Sequence, residues 1–551
     1  MKIIMAQLNF TVGDIDGNVS KILSEYHKFQ ADEGLFICSE LAITGYYPQD
    51  LLLRSSLLNK QWEALEEIRK ATIEKPCAIL IGYAAKNRDR VGKPLHNALV
   101  VLHKGEVILE YYKQLLPTYN VFDEARHFSA KSSPNSFTLN GKRFGVMICE
   151  DAWFTEAKGA YLADPIDNLE GVPLDAVISI NASPSNVGKQ EERMTIAQNL
   201  VSRLNVPFVY VNQVGGNDEL VFDGASFIMN RQGQLTASAK AFSEEVVEAK
   251  LEDNRVIEVS PMKRSHFILE QLQLGIRDYV EKCGFDKIVV GSSGGIDSAV
   301  TIALCRFALG SEKVKAITMP SKYSSKGSVN DSIILCKNLG VELFERPITQ
   351  DFALTIKEFE LMSKCMPNQI TQENMQARIR GRILMEFSNH FSALVVSTGN
   401  KSEMSVGYAT LYGDMNGGIN PLGDLYKMEV YELAKFINMH YQSDVIPEAI
   451  ITKAPSAELA EGQVDNDSLP AYPILDAILK QYIEGDLLSE SEQDICSALL
   501  TEKSVSYDLI AKIQDMVDRA EFKRKQAPPI IRVQKRSFGM GRWLPIAARY
   551  T

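Results

Sequence analysis

The segment Lys287-Ile-Val-Val-Gly-Ser-Ser-Gly-Gly-Ile-Asp-Ser298 decides the fold of the second half of the chain. A short apolar run of strand length leads into a glycine-rich turn, and an apolar stretch of helical length follows at 299–309. Buried strands that alternate with helices predict a parallel, doubly wound sheet, whose ligands bind beyond the carboxyl ends of the strands. Further strands are predicted at 314–319, 341–348 and 393–397, and helices at 265–283, 329–339 and 373–391.

The first half of the chain has a different pattern, in which many short β-type runs are separated by a few amphipathic segments. This pattern predicts an α/β layer arrangement with many strands. The two patterns meet near residues 250–265, so we expect one domain at 1–255 and a second at 256–551. The predicted strands are 2–8, 35–38, 78–83, 98–102, 107–112, 143–148, 176–180 and 207–211, and the predicted helices are 19–31 and 190–204.

The composition excludes several classes of protein. The chain has 551 residues, of which 23% are charged and 45% hydrophobic, and this is typical of a globular protein. A net charge of −11 argues against general binding of nucleic acid or anionic membranes. No run approaches the roughly 18 apolar residues of a membrane span. With no CxxC pair and too short an apolar N-terminal stretch for a signal peptide, we expect a soluble, cytoplasmic protein.

Three polar residues of the first half, Glu40, Lys113 and Cys149, follow apolar strands. If these strands are neighbours, the three side chains converge at one sheet edge. A thiolate can attack an amide carbonyl while a carboxylate moves the proton and a cation stabilises the oxyanion. Each residue taken alone has an ordinary alternative, because a cysteine in an apolar run is usually a buried hydrophobe and a single Lys or Glu usually lies on the surface.

The segments around these residues resemble the nitrilase (carbon–nitrogen hydrolase) superfamily. The resemblance implies an αββα sandwich with Cys149 as nucleophile, Glu40 as general base, Lys113 as the third triad member and Glu124 as a supporting glutamate. Asn120 stands where the family has glycine, and Asn tolerates a positive φ. The matching segments are Glu40-Leu-Ala-Ile-Thr-Gly-Tyr46, Lys113-Gln-Leu-Leu-Pro-Thr-Tyr119, Val121-Phe-Asp-Glu-Ala-Arg126 and Gly145-Val-Met-Ile-Cys-Glu-Asp151.

The glycine-rich turn of the second half offers backbone N–H groups and a helix N-terminus to an anion. It lacks the Gly-Lys-Ser/Thr ending of a P-loop and the Gly-x-Gly-x-x-Gly motif of a dinucleotide site. Its alternative interpretation is a helix cap with glycines for close packing. It resembles the Ser-Gly-Gly-x-Asp-Ser signature of ATP pyrophosphatases, which implies a Rossmann-like fold of the adenine nucleotide α-hydrolase type. The implied ATP contacts are Gly291, Ser292, Ser293, Gly294, Gly295, Ile296, Asp297 and Ser298.

A second predicted strand end reads Ser397-Thr-Gly-Asn-Lys-Ser-Glu403. Asp297 and Glu403 can share a Mg²⁺ ion that neutralises the pyrophosphate leaving group. Two hard oxygen ligands on two loop ends suit magnesium, which usually keeps several waters. The predicted cofactor is therefore Mg²⁺, with ATP as co-substrate.

The chain as a whole resembles the family of glutamine-dependent NAD⁺ synthetases. The resemblance implies that L-glutamine is hydrolysed at Cys149 and that its ammonia travels through a protected passage to deamido-NAD⁺, whose carboxylate ATP has adenylated. It also implies a homo-oligomer. Further matching segments are 373–381, 407–415, 454–459, 463–470 and 522–528. The implied contacts are Tyr119, Ser183 and Lys189 for glutamine, Thr398 for ATP, and Asn374, Glu403, Tyr408, Ala409, Thr410, Leu411 and Lys523 for deamido-NAD⁺.

Several alternatives stay open at this point. Asn374 can be a helix N-terminal residue and Tyr408 a core aromatic. From Lys523 onward the chain has eight Lys and Arg and no Asp or Glu, and this basic tail can bind nucleic acid, form a solvated arm or close over a phosphate-rich ligand. The resemblance favours the third interpretation. A different glutamine-dependent amidotransferase and a non-catalytic scaffold are the competing functions.

Overall fold

A computed structural model describes residues 1–89, 91–155, 159–253, 255–463, 465 and 469–549. The chain divides into two units, Met1–Pro261 and Met262–Thr551, which we call the N-terminal unit and the C-terminal unit.

Among its described residues, the N-terminal unit contains the eight expected strands close to their predicted positions, together with six further short strands. Its strands are β1 (Lys2–Gln7), β2 (Gly34–Ile37), β3 (Ala78–Lys86), β4 (Leu95–His103), β5 (Glu106–Tyr112), β6 (Ser136–Leu139), β7 (Lys142–Ile148), β8 (Ala176–Asn181), β9 (Phe208–Asn212), β10 (Val214–Asn217), β11 (Leu220–Asp223), β12 (Phe227–Met229), β13 (Leu235–Ser238) and β14 (Glu245–Lys250). Its helices are α1 (Ile15–Phe29), α2 (Ser55–Ala71) and α3 (Lys189–Leu204).

These strands form two main sheets, each of six strands among the described residues, with β10 and β11 paired separately. Their orders are β14-β1-β2-β3-β4-β5 and β13-β12-β9-β8-β7-β6. One apolar core joins side chains of both sheets, such as Ile37 and Leu99 with Ile148 and Ile178. The outer face of the first sheet is covered by α1 and α2, and that of the second by α3. The predicted αββα sandwich is confirmed.

The C-terminal unit is built on a parallel sheet whose order is β17-β16-β15-β18. The strands are β15 (Lys287–Ser292), β16 (Val314–Thr318), β17 (Glu342–Glu345) and β18 (Ala393–Val396). The order reverses between β15 and β18, which makes a crevice at their carboxyl ends. The predicted doubly wound sheet is confirmed.

Helices cover this sheet and extend beyond it. They are α4 (Arg264–Lys282), α5 (Ile296–Leu309), α6 (Lys326–Leu339), α7 (Thr349–Ser363), α8 (Gln369–Phe391), α9 (Lys401–Val406), α10 (Lys427–His440), α11 (Glu448–Thr452), α12 (Tyr472–Ile483), α13 (Glu490–Glu502), α14 (Tyr507–Arg519) and α15 (Glu521–Arg524). The last helices have a core of their own, in which Leu475, Ile478 and Val517 are buried. Within the residues that the structure describes, no helix combines the length and apolar character needed to cross a bilayer.

Candidate active sites

Lys113 is the centre of a buried cluster in the N-terminal unit. Its Nζ donates to Glu40 Oε1 at 2.8 Å and to Glu124 Oε1 at 2.8 Å. All three side chains are at most 1% exposed. Glu40 Oε2 also accepts a hydrogen bond from the Ala182 amide at 2.9 Å. The structure therefore brings together both predicted glutamates and the predicted lysine.

The expectation that the triad comes from neighbouring strands of one sheet is wrong. Glu40 follows β2 and Lys113 follows β5 in the first sheet, with β3 and β4 between these strands. Cys149 follows β7, which lies in the second sheet. The side chains still converge, because β2 and β5 run in the same direction and the two sheets pack face to face. The site lies between the layers of the sandwich rather than along one edge.

Cys149 lies in a tight turn, where strand β7 ends and a 3₁₀ helix, Cys149–Ala152, begins. Its φ of +44° is unusual for a residue with a side chain, and such strain is concentrated at functional sites. Burial and the charge of Glu40 raise the pKa of the Cys149 thiol, while Lys113 lowers it. The resting group is therefore a thiol, and a nearby base is needed to activate it.

Asp151 fixes this turn to the strand end that carries Lys113. Its Oδ1 accepts hydrogen bonds from the amides of Gln114 at 3.0 Å and Leu115 at 2.9 Å. Its Oδ2 accepts hydrogen bonds from the amide of Ile148 at 3.1 Å and from a tyrosine hydroxyl. Burial raises the pKa of Asp151 to about 6. One carboxylate thus joins the backbone beside Lys113 to the backbone beside Cys149.

Sequence reasoning did not identify two further residues of the cluster. Tyr46 donates to Glu124 Oε1 at 2.7 Å, and the Asn97 amide donates to both Glu40 and Glu124. The available signal for Asn97 was a polar residue directly before the apolar run 98–102, within the strand Leu95–His103. Tyr46 lies in a segment already matched to the family, but nothing in the sequence showed where its hydroxyl points.

The residues predicted to hold glutamine lie on loops and a helix of the same unit. Tyr119 is half exposed, and its hydroxyl donates to Glu150, which follows Cys149 directly. Ser183 Oγ accepts from the buried Arg193. Lys189 begins α3, and its Nζ lies 3.6 Å from the centre of the Trp153 ring and 3.2 Å from Glu192. Burial lowers the pKa of the Lys189 ammonium.

The phosphate loop in the C-terminal unit joins β15 to α5. Gly294 has a φ of +74°, and a Cβ atom there would lie 2.3 Å from the main-chain oxygen of Ser328. The position therefore needs glycine for its conformation and for its packing. Hydroxyl groups close the turn, since Ser298 Oγ donates to Gly295 O at 3.0 Å and lies 3.1 Å from Ser293 Oγ.

A cavity of about 290 Å³ opens beside this loop. Its lining combines the loop with the carboxyl ends of β16 and β18 and with the α8 helix. Predicted residues on its wall are Gly291, Ser292, Ser293, Gly295, Ile296, Asp297, Thr398, Glu403 and Tyr408. Arg380 also lines it, although sequence reasoning did not single it out.

Lys427 connects the two carboxylates predicted to share a metal. Its Nζ lies 2.5 Å from Asp297 Oδ2 and 3.1 Å from Glu403 Oε1. Burial and Asp297 raise the pKa of Glu403, whereas Lys427 lowers it. The two carboxylates thus already converge on one cationic group. Sequence reasoning missed Lys427, because nothing in the first turn of α10 shows that its side chain reaches α5 and α9.

The residues predicted to contact deamido-NAD⁺ gather around the loop after α9. Thr410 donates to Asn374 Oδ1 at 2.7 Å, which ties this loop to α8. Lys523 Nζ donates to the main-chain oxygens of Gly407 and Ala409, each at 2.8 Å. Leu411 O accepts from Arg378 at 3.2 Å. Asn374 therefore lies within α8, beyond its first turn, and contacts the loop. Tyr408 both packs against the helical core and lines the cavity.

The basic tail is built into the C-terminal unit instead of presenting all its charge to a ligand. Ile531 and Val533 are fully buried, and the Val533 amide donates to Asp424 at 2.7 Å. Arg524 donates to the main-chain oxygen of Ser405 at 2.6 Å. Arg532 and Arg536 also donate to main-chain carbonyls. These contacts give the described part of the tail a structural role, and its role at a dinucleotide stays a prediction.

Each of the two units matches the model of a known protein family. Residues 2–260 match the carbon–nitrogen hydrolase family model, and residues 268–527 match that of NAD synthase. Glutamine-dependent NAD(+) synthetases from Synechocystis sp. and Acinetobacter baylyi are 39% and 40% identical to the chain. The alignments cover 100% and 99% of this chain and 99% and 98% of those proteins.

A solved glutamine-dependent NAD⁺ synthetase from Acinetobacter baumannii, in complex with adenosine diphosphate, has a TM-score of 0.77 and 37% identity, with coverage of 99% of this chain and 98% of that one. A second, from Cytophaga hutchinsonii, shares the fold with a TM-score of 0.81 at 20% identity, covering 100% and 98%. The class is a carbon–nitrogen ligase that carries a carbon–nitrogen hydrolase unit on the same chain. The chain belongs to the glutamine-dependent NAD⁺ synthetase family.

Proposed function

We propose that the protein converts deamido-NAD⁺ to NAD⁺, with L-glutamine as nitrogen donor and ATP as energy source. Glutamine and water yield glutamate and ammonia in the N-terminal unit. In the C-terminal unit ATP adenylates the nicotinate carboxylate and releases pyrophosphate, and ammonia then displaces AMP. The observation that carries this assignment is the buried Lys113 between Glu40 and Glu124, on a chain related over its full length to these synthetases.

The hydrolysis follows from the groups around Cys149. The thiol is protonated at rest, so the Glu40 carboxylate takes its proton as sulfur attacks the glutamine amide carbon. The Lys113 ammonium stabilises the oxyanion of the tetrahedral intermediate. Glu40 then returns the proton to the leaving ammonia, and a water molecule hydrolyses the thioester. Glu124 forms a second ion pair with the Lys113 ammonium.

Tyr119, Ser183 and Lys189 are proposed to hold the glutamine backbone. Their side chains lie on elements that surround the Cys149 turn, and Tyr119 contacts the neighbouring Glu150. The hydroxyl groups of Tyr119 and Ser183 and the ammonium of Lys189 can donate hydrogen bonds to the α-carboxylate of an amino acid. These contacts select a free amino acid over other amides.

The phosphate loop Gly291–Ser298 and Thr398 are proposed to bind ATP. The loop presents backbone N–H groups at the N-terminus of α5, which favours the phosphates. The relative from Acinetobacter baumannii was solved with adenosine diphosphate, and this supports a nucleotide site in the same fold. The cavity beside the loop provides the space for the reacting carboxylate.

Asp297 and Glu403 are proposed to hold Mg²⁺. Their pairing with the ammonium group of Lys427 supports a site for positive charge beside both carboxylates. Among the described residues no group of three or more His, Cys, Asp or Glu side chains could hold a metal, so phosphate oxygens and waters would complete the coordination. When bound, Mg²⁺ supplies charge neutralisation to the leaving pyrophosphate.

Asn374, Glu403, Tyr408–Leu411 and Lys523 are proposed to contact deamido-NAD⁺. The hydrogen bonds that tie the 407–411 loop to Asn374 and Lys523 support a shared role. We further propose that residues 1–255 and 256–551 act as glutaminase and synthetase domains, that ammonia passes between them through a protected passage, and that the enzyme is a cytoplasmic homo-oligomer. The eight cysteines are free thiols, which suits a reducing compartment.

The assignment is tested with amide-¹⁵N-labelled glutamine. Purified enzyme, ATP, Mg²⁺ and deamido-NAD⁺ should yield one ¹⁵N-labelled NAD⁺ for each AMP, measured by mass spectrometry. A different amidotransferase is not favoured by the full-length relatives. Formation of AMP with another carboxylic acid but not with deamido-NAD⁺ would overturn the assignment.

A further inference from the structure

Asn97, on strand β4, contacts three members of the buried cluster. Its Nδ2 donates to Glu40 Oε1 at 2.7 Å and to Glu124 Oε2 at 3.2 Å. Its main-chain oxygen accepts from the amide of Lys113 at 2.8 Å. Asn97 itself is only 1% exposed. One residue thus touches both carboxylates and fixes the backbone of the lysine between them.

The orientation of the Asn97 amide follows from its surroundings. A flipped amide would place its carbonyl oxygen against two carboxylates, so the NH₂ group must face them. In this orientation Oδ1 is buried and has no hydrogen-bond partner among the described residues. Buried polar atoms normally have partners. The unsatisfied oxygen is therefore a consequence of directing both N–H bonds at Glu40 and Glu124.

These N–H bonds offset the excess of negative charge in the site. Two buried carboxylates share the single ammonium of Lys113, and burial and Glu40 raise the pKa of Glu124. Hydrogen bonds to an ionised carboxylate favour its charged form. A neutral amide supplies them without adding another charge that would compete with the substrate. The other titratable groups that interact with the two carboxylates include Tyr46, Tyr47, Cys149, Glu150 and Tyr161.

We propose that Asn97 is a positioning residue of the glutaminase site. It holds the Glu40 carboxylate aligned for proton transfer with Cys149, and it keeps Glu124 in place against Lys113. The inference rests on the glutaminase activity proposed above. Asn97 acts through the carboxylates, so its loss affects the chemical step and its pH dependence rather than glutamine binding.

The test is steady-state glutamine hydrolysis by the full-length Asn97→Ala enzyme between pH 5.5 and 9. We expect kcat to fall at least about 30-fold while KM for glutamine stays within about threefold. The acidic limb of the kcat profile should move upward by about half a pH unit or more. The isosteric Asn97→Asp variant keeps the side-chain volume, so it carries the same test if the alanine variant does not fold, and its kcat should fall further.

The matched control is Asn18→Ala, which removes a buried asparagine whose side chain forms hydrogen bonds with main-chain atoms of Thr11 and Ile43. It should lower the melting temperature but leave the pH profile of the surviving activity unchanged. Equal effects of the two substitutions, or a raised KM with unchanged kcat in Asn97→Ala, would overturn the proposal. Wild-type and Cys149→Ala enzymes test the glutaminase assignment separately, because that assignment fails only if wild type is inactive or Cys149→Ala retains activity.

Discussion

The Nζ atom of Lys113 lies 2.8 Å from Glu40 Oε1, and neither side chain is more than 1% exposed. The same nitrogen lies 2.8 Å from Glu124 Oε1. An isolated buried charge is strongly unfavourable, so these three groups are stable inside the protein only as a set. The arrangement places two carboxylates and a cation beside Cys149, and it makes Lys113 the most informative position to change.

Replacement Lys113→Met should reduce kcat for glutamine hydrolysis by about 1,000-fold or more, because it removes the oxyanion partner and the positive charge that lowers the Cys149 pKa. NAD⁺ formation from ammonium chloride should remain. Lys401→Met is the matched control, since Lys401 is also fully buried between two carboxylates but lies in the C-terminal unit. Retention of glutaminase activity by Lys113→Met would contradict the proposed role.

The stability of Lys113→Met should depend on pH. Removing one partner of a buried ion pair costs about 3–5 kcal/mol. The folded-state pKa of Glu124 is raised, and it rises further without Lys113. A carboxyl group with a raised folded-state pKa favours folding when protonated, so its contribution is lost as pH increases. The melting-temperature deficit relative to wild type should therefore be larger at pH 8 than at pH 5.5. An equal deficit at both values would show that Glu124 does not carry the effect.

Gly294→Ala should abolish ATP-dependent synthesis from either nitrogen source while glutamine hydrolysis persists. The added Cβ would lie 2.3 Å from Ser328 O at a residue whose φ is +74°, so the phosphate loop must shift. Gly327→Ala is the control, because its Cβ would lie 3.6 Å from the nearest atom, Ser325 Oγ. Isothermal titration with ATP should show weak or no binding only for Gly294→Ala. Normal ATP affinity in that variant would exclude the loop as the phosphate site.

Asp297→Asn should increase the Mg²⁺ concentration that gives half-maximal synthesis by about tenfold or more, since one of two proposed carboxylate ligands is lost. Asp351→Asn is a suitable comparison, because Asp351 pairs with Arg346 and Arg382 away from the cavity wall. The readout is AMP release against free Mg²⁺ with ammonium as nitrogen source. An unchanged Mg²⁺ dependence in Asp297→Asn would exclude Asp297 as a ligand.

Much of the fold was predictable because strand ends carry local signals. The apolar run before Cys149 and the glycine turn after β15 both appear where the sequence indicates them. Helix α2 was not predicted. Its buried residues are Gln61, Ala64 and Ile68, so its apolar stripe is narrow and mixed with polar side chains. The division of the strands into two facing sheets could also not be predicted from local sequence patterns, because it depends on packing between distant segments.

The side chains that complete the sites were less predictable than the backbone that carries them. Asn97 and Lys427 each reach groups contributed by other elements of the same unit. No periodicity or turn signal reports such contacts, because the partners become neighbours only in the folded unit. The structural contacts of the tail were unpredictable for the same reason, since its arginines bind main-chain carbonyls that the sequence does not place beside them.

The central claim is that glutamine hydrolysis at Cys149 supplies ammonia to a separate synthetase site. The most direct measurement compares NAD⁺ formation by Cys149→Ala with glutamine and with ammonium chloride as nitrogen source, at saturating ATP and deamido-NAD⁺. The account predicts a loss of glutamine-driven synthesis of about 1,000-fold or more, with the ammonium-driven rate within about twofold of wild type. Loss of both activities, or survival of the glutamine-driven reaction, would contradict it.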